Sequence, residues 1–282
     1  MPREADALSG LRRGARGHLD RLEELLAEAD RPEGLSGGEI HDLHRELRAR
    51  RVDLELLLRL LPAKARGRAR AERQRVVQLA RRVGELRDRT VVGELLDRPE
   101  ISTRIPSVTV ELARHLLRRE EEVGRVLLRS LLTRPALRSG LRWERRAWER
   151  LKVPSPSLRR ALEQERRFRS RRVRRAWKRA RRRPSSRRLH RLRRALRNRA
   201  LLEGTCTPSA PGPAPPRRGS PAWVQRELGR LHDLEMLRRW VLRLPAPSEE
   251  DLADALREEE HRHLVRVLAA ISALRKEGPR RS

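Results

Sequence analysis

Apolar residues return along most of this chain at three- and four-residue intervals, the spacing that gathers them on one side of an α-helix. Nowhere do they alternate as a half-buried strand requires. A first helix over Glu4 to Ala29 uses Leu11, Leu19, Leu22, Leu25 and Leu26, although Gly10, Gly14 and Gly17 weaken its first half. Arg31-Pro32 ends it. Ser36-Gly37-Gly38-Glu39 then has the S-x-x-E spacing of a capping box, so a second helix opens there and runs to Pro62. A third spans about Ala69 to Leu96 on Val76, Leu79, Val83 and Leu86. After Pro99 and Pro106, Ser107 caps a fourth to about Leu132, and Pro135 bounds a shorter one to Leu151. Lys152 to Pro156 breaks the pattern. Helices follow over Leu158 to Arg183 and, after Pro184-Ser185-Ser186, through Leu189, Leu192 and Leu196. Gly204 to Pro221 has too many prolines for helix and too few apolar groups to pack, which predicts a mobile surface connection. Helices from Trp223 to Leu244 and from Ser248 to Arg275, the latter opened by Ser248 and Asp251, complete an all-α reading.

Two of these helices carry the same double pattern. Ile40, Leu43, Leu47 and Leu54 form one apolar seam of the second helix, and His41, His44, Arg45, Arg48 and Arg51 form a basic stripe beside it. About 149 residues later Leu189, Leu192 and Leu196 repeat the seam, while His190, Arg193, Arg194 and Arg197 repeat the stripe. A second pair of segments agrees: Val83-Gly84-Glu85-Leu86-Arg87-Asp88 resembles Leu228-Gly229-Arg230-Leu231-His232-Asp233, about 145 residues on. A period of that length is domain-sized rather than solenoidal, so an internal duplication is expected, with halves at 1–152 and 153–282.

A histidine followed by basic residues at three, seven and ten, and later by an L-G-x-L-x-D helix, resembles the CHAD domain, the conserved histidine α-helical domain. The resemblance spans most of the chain and implies two four-helix bundles related by a pseudo-twofold, with a basic central cleft that binds inorganic polyphosphate. By position, His41, Arg48 and Arg51, with His190, Arg193 and Arg197, match its motif. His44 stands where the family usually has Arg, Ala49 and Asn198 replace a second Arg, and Ala200 occupies position ten of the later copy. Arg45, Arg50, Arg194 and Arg199 are candidates to compensate. The polyphosphate-binding set is read as His41, His44, Arg45, Arg48, Arg51, Arg87, His190, Arg193, Arg194 and Arg197, with Asp88 and Asp233 orienting arginines through salt bridges.

Charge sharpens this picture. Over 282 residues, 70 Lys and Arg face 39 Asp and Glu, a net charge of +31 that attracts polyanions. Nearly all the cations are Arg. Part of that reflects genome composition, but the guanidinium fork also grips phosphate oxygens in pairs. Between Arg159 and Arg199 the only acids are Glu163 and Glu165, so that stretch repels itself until something neutralises it. The longest apolar run, Leu54 to Leu61, is broken by Arg59, and no basic n-region precedes an apolar core, so neither export nor a membrane span is expected. The single Cys206 precludes an internal disulfide and is placed in the Pro-rich connection; a cytoplasmic protein is expected, resident on polyphosphate granules if the binding targets it there.

Other readings remain open. One basic helix face alone is ordinarily solvated surface, and a histidine at a helix start also serves as a cap or hydrogen-bonds a neighbouring helix. Backbone binding to nucleic acid fits the charge, yet one Phe, no Tyr and five scattered Trp make a poor stacking platform for single strands. Catalysis is not expected: Glu120 to Glu122 and Glu258 to Glu260 are consecutive on helices and splay around the axis. His41 with His44, and His261 with His263, lack a third ligand, so no metal is expected either, and no cofactor.

Overall fold

The computed structural model describes residues 5–31, 33–103, 107–206, 220–242 and 249–273, and among them every regular element is a helix. The order is α1 (Ala5–Ala29), α2 (Gly37–Leu60), a 3-10 turn (Ala63–Ala65), α3 (Arg66–Leu96), α4 (Pro99–Ser102), α5 (Ser107–Leu132), α6 (Pro135–Arg150), α7 (Ser155–Arg182), α8 (Ser186–Cys206), α9 (Pro221–Val241) and α10 (Glu249–Ala273). The punctuation residues act as their chemistry dictates. Gly34, at φ +68, makes the turn before α2 in a conformation that a Cβ would disfavour. Ser36 Oγ accepts from the Glu39 amide at 3.3 Å, while Glu39 Oε2 accepts from the Ser36 amide at 2.6 Å, closing the capping box. Hydrogen bonding to the Ser36 hydroxyl, and then to the Ser36 backbone amide, holds the Glu39 carboxyl below its ordinary pKa. Leu61 is extended because Pro62 follows it, and α2 ends there. Prolines occupy the first turn of α4, α6 and α9, where a missing N–H costs nothing.

The chain forms two compact units: Met1–Arg87, Val123–Ser170 and Asn198–Pro211 in one, Asp88–Glu122, Arg171–Arg197 and Gly212–Ser282 in the other. Each draws on both sequence halves, so the packing does not divide between residues 152 and 153. The reason is helix length: α3, α5, α7 and α8 each contribute residues to both units.

The first unit has two apolar clusters. In one, Leu19, Leu22, Leu25 and Leu26 of α1 meet Ile40, Leu43 and Leu47 of α2, Val83 and Leu86 of α3, and Leu128 and Leu132 of α5. In the other, Leu11 and Ala15 of α1 meet Leu54 and Leu57 of α2, Val76 of α3, Trp148 of α6 and Leu158 of α7. The second unit also has two: Leu95 and Leu96 of α3 with Leu117, Leu234 and Leu237 in one, and Ala180, Leu189, Leu192, Leu196, Val224, Leu228 and Ile271 in the other. Burying one Leu stabilises by roughly 1.5–3 kcal/mol, so these seams are the main force behind each unit.

The Pro-rich connection begins later than expected. Gly204, Thr205 and Cys206 are helical, and residues 207–219 lie outside the described residues. Thr205 explains the extension: its hydroxyl hydrogen-bonds the Leu201 carbonyl at 3.0 Å and Asp53 Oδ1 at 2.9 Å, so tertiary contact holds a turn that local propensity would release. Cys206 is accordingly half-buried against the Leu11 cluster rather than in a loop. At the other end, Ser220 Oγ caps α9 by accepting from the Trp223 amide at 3.1 Å. The expected cap at Ser248 lies outside the described residues.

Candidate functional site: two His/Arg helix faces

On α2 the seam and stripe fall as their spacing requires. Ile40, Leu43 and Leu47 are buried, His44, Arg48 and Arg51 are half-buried, and His41 and Arg45 are exposed. Helix α3 lies beside this face. A Cβ on Gly84 would stand 3.0 Å from His44 Nε2, so the glycine makes room for that imidazole. The cationic stripe is partly neutralised. Arg45 pairs with Asp42 at 2.9 Å and Glu46 at 3.0 Å, and Arg51 lies 3.7 Å from Glu55. Arg48 Nε donates to the His44 carbonyl at 3.1 Å, and Arg51 Nη2 donates to Asn198 Oδ1 at 2.8 Å. Asn198, which departs from the expected motif, is therefore a fastening for Arg51. Arg169 reinforces it by donating to the Asn198 carbonyl at 2.6 Å and to Glu55 Oε2 at 3.1 Å.

In the second unit α8 repeats the arrangement. Leu189, Leu192 and Leu196 are buried, His190, Arg193 and Arg197 are half-buried, and Arg194 is exposed. Helix α9 supplies His232, whose ring centroid lies 5.1 Å from that of His190 at an interplanar angle of 45°. His232 was missed by the sequence reading of the site. It could have been found there, because it occupies the position in Leu228–Asp233 that Arg87 occupies in Val83–Asp88. Both partners attend the leading histidine of a stripe: Arg87 acts on His41, and His232 stacks obliquely on His190. A cavity of about 250 Å³ opens beside this pair, bounded by His190, His232, His261, Glu235, Glu260 and Arg238, among others. Arg238 Nε donates to Glu260 Oε1 at 3.0 Å, yet burial outweighs that pairing and pushes the Glu260 carboxyl up.

Electrostatics treats the two leading histidines alike. Loss of hydration, then the charges of Arg87 and Arg48, depresses the pKa of His41; Asp42 only partly offsets them. Loss of hydration, then Arg193, Arg194 and Arg197, depresses that of His190, against Glu235. Both imidazoles are thus poised to take up a proton when an anion offsets the neighbouring guanidiniums.

Arg50 does not join the stripe. It is fully buried, with Nε 2.7 Å from Glu144 Oε2 and Nη2 3.8 Å from Glu72 Oε2, and so it cannot compensate for Ala49. Its counterpart Arg199 is exposed and pairs with Glu203 at 2.7 Å. Asp88 and Asp233 are half-buried at the expected helix positions. Among the described residues no group of three or more His, Cys, Asp or Glu is placed to hold a metal ion, and no helix is long and apolar enough to cross a membrane.

These helices and stripes define an all-helical, polycationic protein. Its fold is that of the CHAD domain: a crystal structure of the CHAD domain from the plant Ricinus communis superimposes with a TM-score of 0.68, at 16% identity, covering 95% of this chain and 92% of that one. No family model matches the sequence, and no curated protein does.

Proposed function

We propose that this protein binds inorganic polyphosphate, without transforming it, through the His/Arg faces of α2 and α8. The observation that carries the reading is their shared register. Each face runs alongside a buried seam, begins with a histidine whose proton affinity is depressed, and has a helix of the Gly84/Gly229 type presenting Arg87 or His232 to that histidine. Arginine forks take pairs of phosphate oxygens, and a chain of phosphates presents one such pair at every link. The common register also supports an internal duplication as its origin, and the single basic cleft that the CHAD resemblance implies is part of the proposal. Residence on polyphosphate granules in the cytoplasm would follow from the binding.

The test is competition between labelled long-chain polyphosphate and equal phosphate as duplex DNA or RNA, across salt. The wild type is compared with His41→Ala/Arg48→Ala/His190→Ala/Arg197→Ala, checked for folding by circular dichroism. Polyphosphate should win, and the variant should lose it. Variants restricted to α2 or to α8 should each remove most of the binding if one chain engages both faces. Equal competition by nucleic acid, with the variant binding as before, would defeat the proposal.

A further inference from the structure

The most cationic stretch of the sequence belongs to neither face. From Arg171 to Arg183, in the second unit, every residue is basic except Val173, Ala176, Trp177 and Ala180. Those four form the side of α7 that packs on the Leu189–Leu192–Leu196 cluster, with Ala180 fully buried. The basic residues occupy the remaining arc, which at 3.6 residues per turn is roughly 200° wide. Arg174, Arg175, Lys178, Arg179, Arg181 and Arg182 are all exposed. They fall into two rows at i, i+4 and i+7: Arg174, Lys178 and Arg181 along one flank, Arg175, Arg179 and Arg182 along the other. No acid lies within the segment. Arg188 Nη1 donates to the Arg183 carbonyl at 2.7 Å, putting another cation where the helix dipole is negative.

Shape decides which polyanion such a surface suits. A thin, flexible chain touches a convex cylinder along one line and leaves one row of cations without phosphates. A convex helix with a row on each flank fits a groove with a phosphate backbone on each rim. A helix with its side chains is about 10–12 Å across, and the major groove of B-form DNA is about 12 Å wide. The major groove of A-form RNA is too narrow and deep to admit it. The exposed arc offers no Asn or Gln for reading adenine, and its even cationic coat suits sequence-independent attachment.

We propose that residues 171–183 are a second polyanion site, a docking helix that seats in the major groove of duplex DNA and grips the two phosphate backbones with its two rows. It is carried by α7 rather than by α2 or α8, and it does not depend on what those two faces bind.

The full-length protein and two variants are titrated with a mixed-sequence 20-base-pair DNA duplex, the RNA duplex of the same sequence and long-chain inorganic polyphosphate, following anisotropy over a range of salt. One variant is Arg174→Gln/Arg175→Gln/Lys178→Gln/Arg179→Gln/Arg181→Gln/Arg182→Gln. The other alters a single row, Arg174→Gln/Lys178→Gln/Arg181→Gln. Every substituted side chain is exposed, the packed side of α7 is untouched, and circular dichroism checks the fold. The wild type should prefer DNA to RNA. The six-residue variant should lose about tenfold or more in DNA affinity and its preference over RNA, with the slope of log K against log salt shallower by about 0.9 per phosphate contact removed. The single-row variant should fall between, and polyphosphate affinity should stay within about twofold, because the residues proposed to hold it belong to other helices. Unchanged DNA affinity in the six-residue variant would overturn the proposal, and so would an equal loss for all three polyanions.

Discussion

Arg50 Nε lies 2.7 Å from Glu144 Oε2, and both side chains are fully buried. Glu72 completes the cluster and is itself held by Arg75 at 2.7 Å. Breaking a buried pair from one side strands a charge in low dielectric, which costs far more than the pair contributes. Arg50→Ala should therefore destabilise by about 3–5 kcal/mol in urea unfolding. Arg199→Ala, the equivalent position on α8, should change stability by under about 0.5 kcal/mol, as exposed substitutions do.

The same cluster predicts a pH dependence. Burial, opposed by Arg50, pushes the Glu144 carboxyl up to about 7. The folded chain then holds a proton that the unfolded chain releases near 4.5, so the folded form binds more protons in that window and stability falls as pH rises from about 4.5 to about 7. His18 has the same sign. Burial lowers its pKa, but the hydrogen bond and charge of Asp53, with Glu46 and Glu144 behind, outweigh that and hold it above 6.5. Its contribution is fully present below pH 6.5 and is lost as pH rises through the folded value. His41 and His190 pull the other way below 6.5, since depressed imidazoles disfavour the protonated folded state. Unfolding free energies measured from pH 5 to 8 should decline less steeply in Glu144→Gln than in the wild type. An unchanged slope would remove Glu144 from this role.

Binding should respond to pH in the opposite sense to those two depressed imidazoles. A bound polyphosphate favours protonated His41 and His190, so complex formation takes up protons and affinity rises as pH falls toward and below 6.5. His41→Gln/His190→Gln should flatten that rise while retaining the salt dependence of the arginines. Affinity measured at constant ionic strength between pH 5.5 and 8 gives the answer.

Two glycines on α1 should behave differently when changed to alanine. A Cβ at Gly14 would collide with the Thr205 backbone carbonyl, whereas Gly17 has nothing within 4 Å. Gly14→Ala should cost about 1–3 kcal/mol through overpacking, and Gly17→Ala should gain up to about 1 kcal/mol from helix propensity. Thermal melts of the two variants separate close packing from simple propensity.

A second glycine pair probes the binding face. Gly84→Ala crowds His44 at 3.0 Å, while Gly229→Ala meets open space. If His44 contacts phosphate, Gly84→Ala should weaken polyphosphate binding by roughly threefold or more, about 0.6 kcal/mol, and Gly229→Ala should not. Equal affinities would take His44 out of the contact set.

The helices and their seams were legible because period alone specifies them: Ile40, Leu43 and Leu47 are buried, as are Leu189, Leu192 and Leu196. The stripes were legible for the same reason. Arg50 was not, because its burial depends on carboxylates from α3 and α6 that local spacing cannot bring together. Nor were the two units, since a helix pattern says nothing about which helices share a core. Thr205 and Cys206 were hidden by their neighbours in sequence, where glycine and proline outweighed one hydrogen bond to Asp53. His232 was missed because its position is unspecified in the L-G-x-L-x-D pattern, although Arg87, at the same position of the first copy, was read as a binding residue.

Cys206 is the chain's only thiol, and it sits on the turn of α8 that touches α1 at Gly14. Burial raises its pKa against the pull of Arg166, so little thiolate is available to a reagent near neutral pH. The rate at which a maleimide labels the native protein thus becomes a clock for how often that turn opens. One unmodified residue lets the lifetime of the α1–α8 contact be timed without installing a probe.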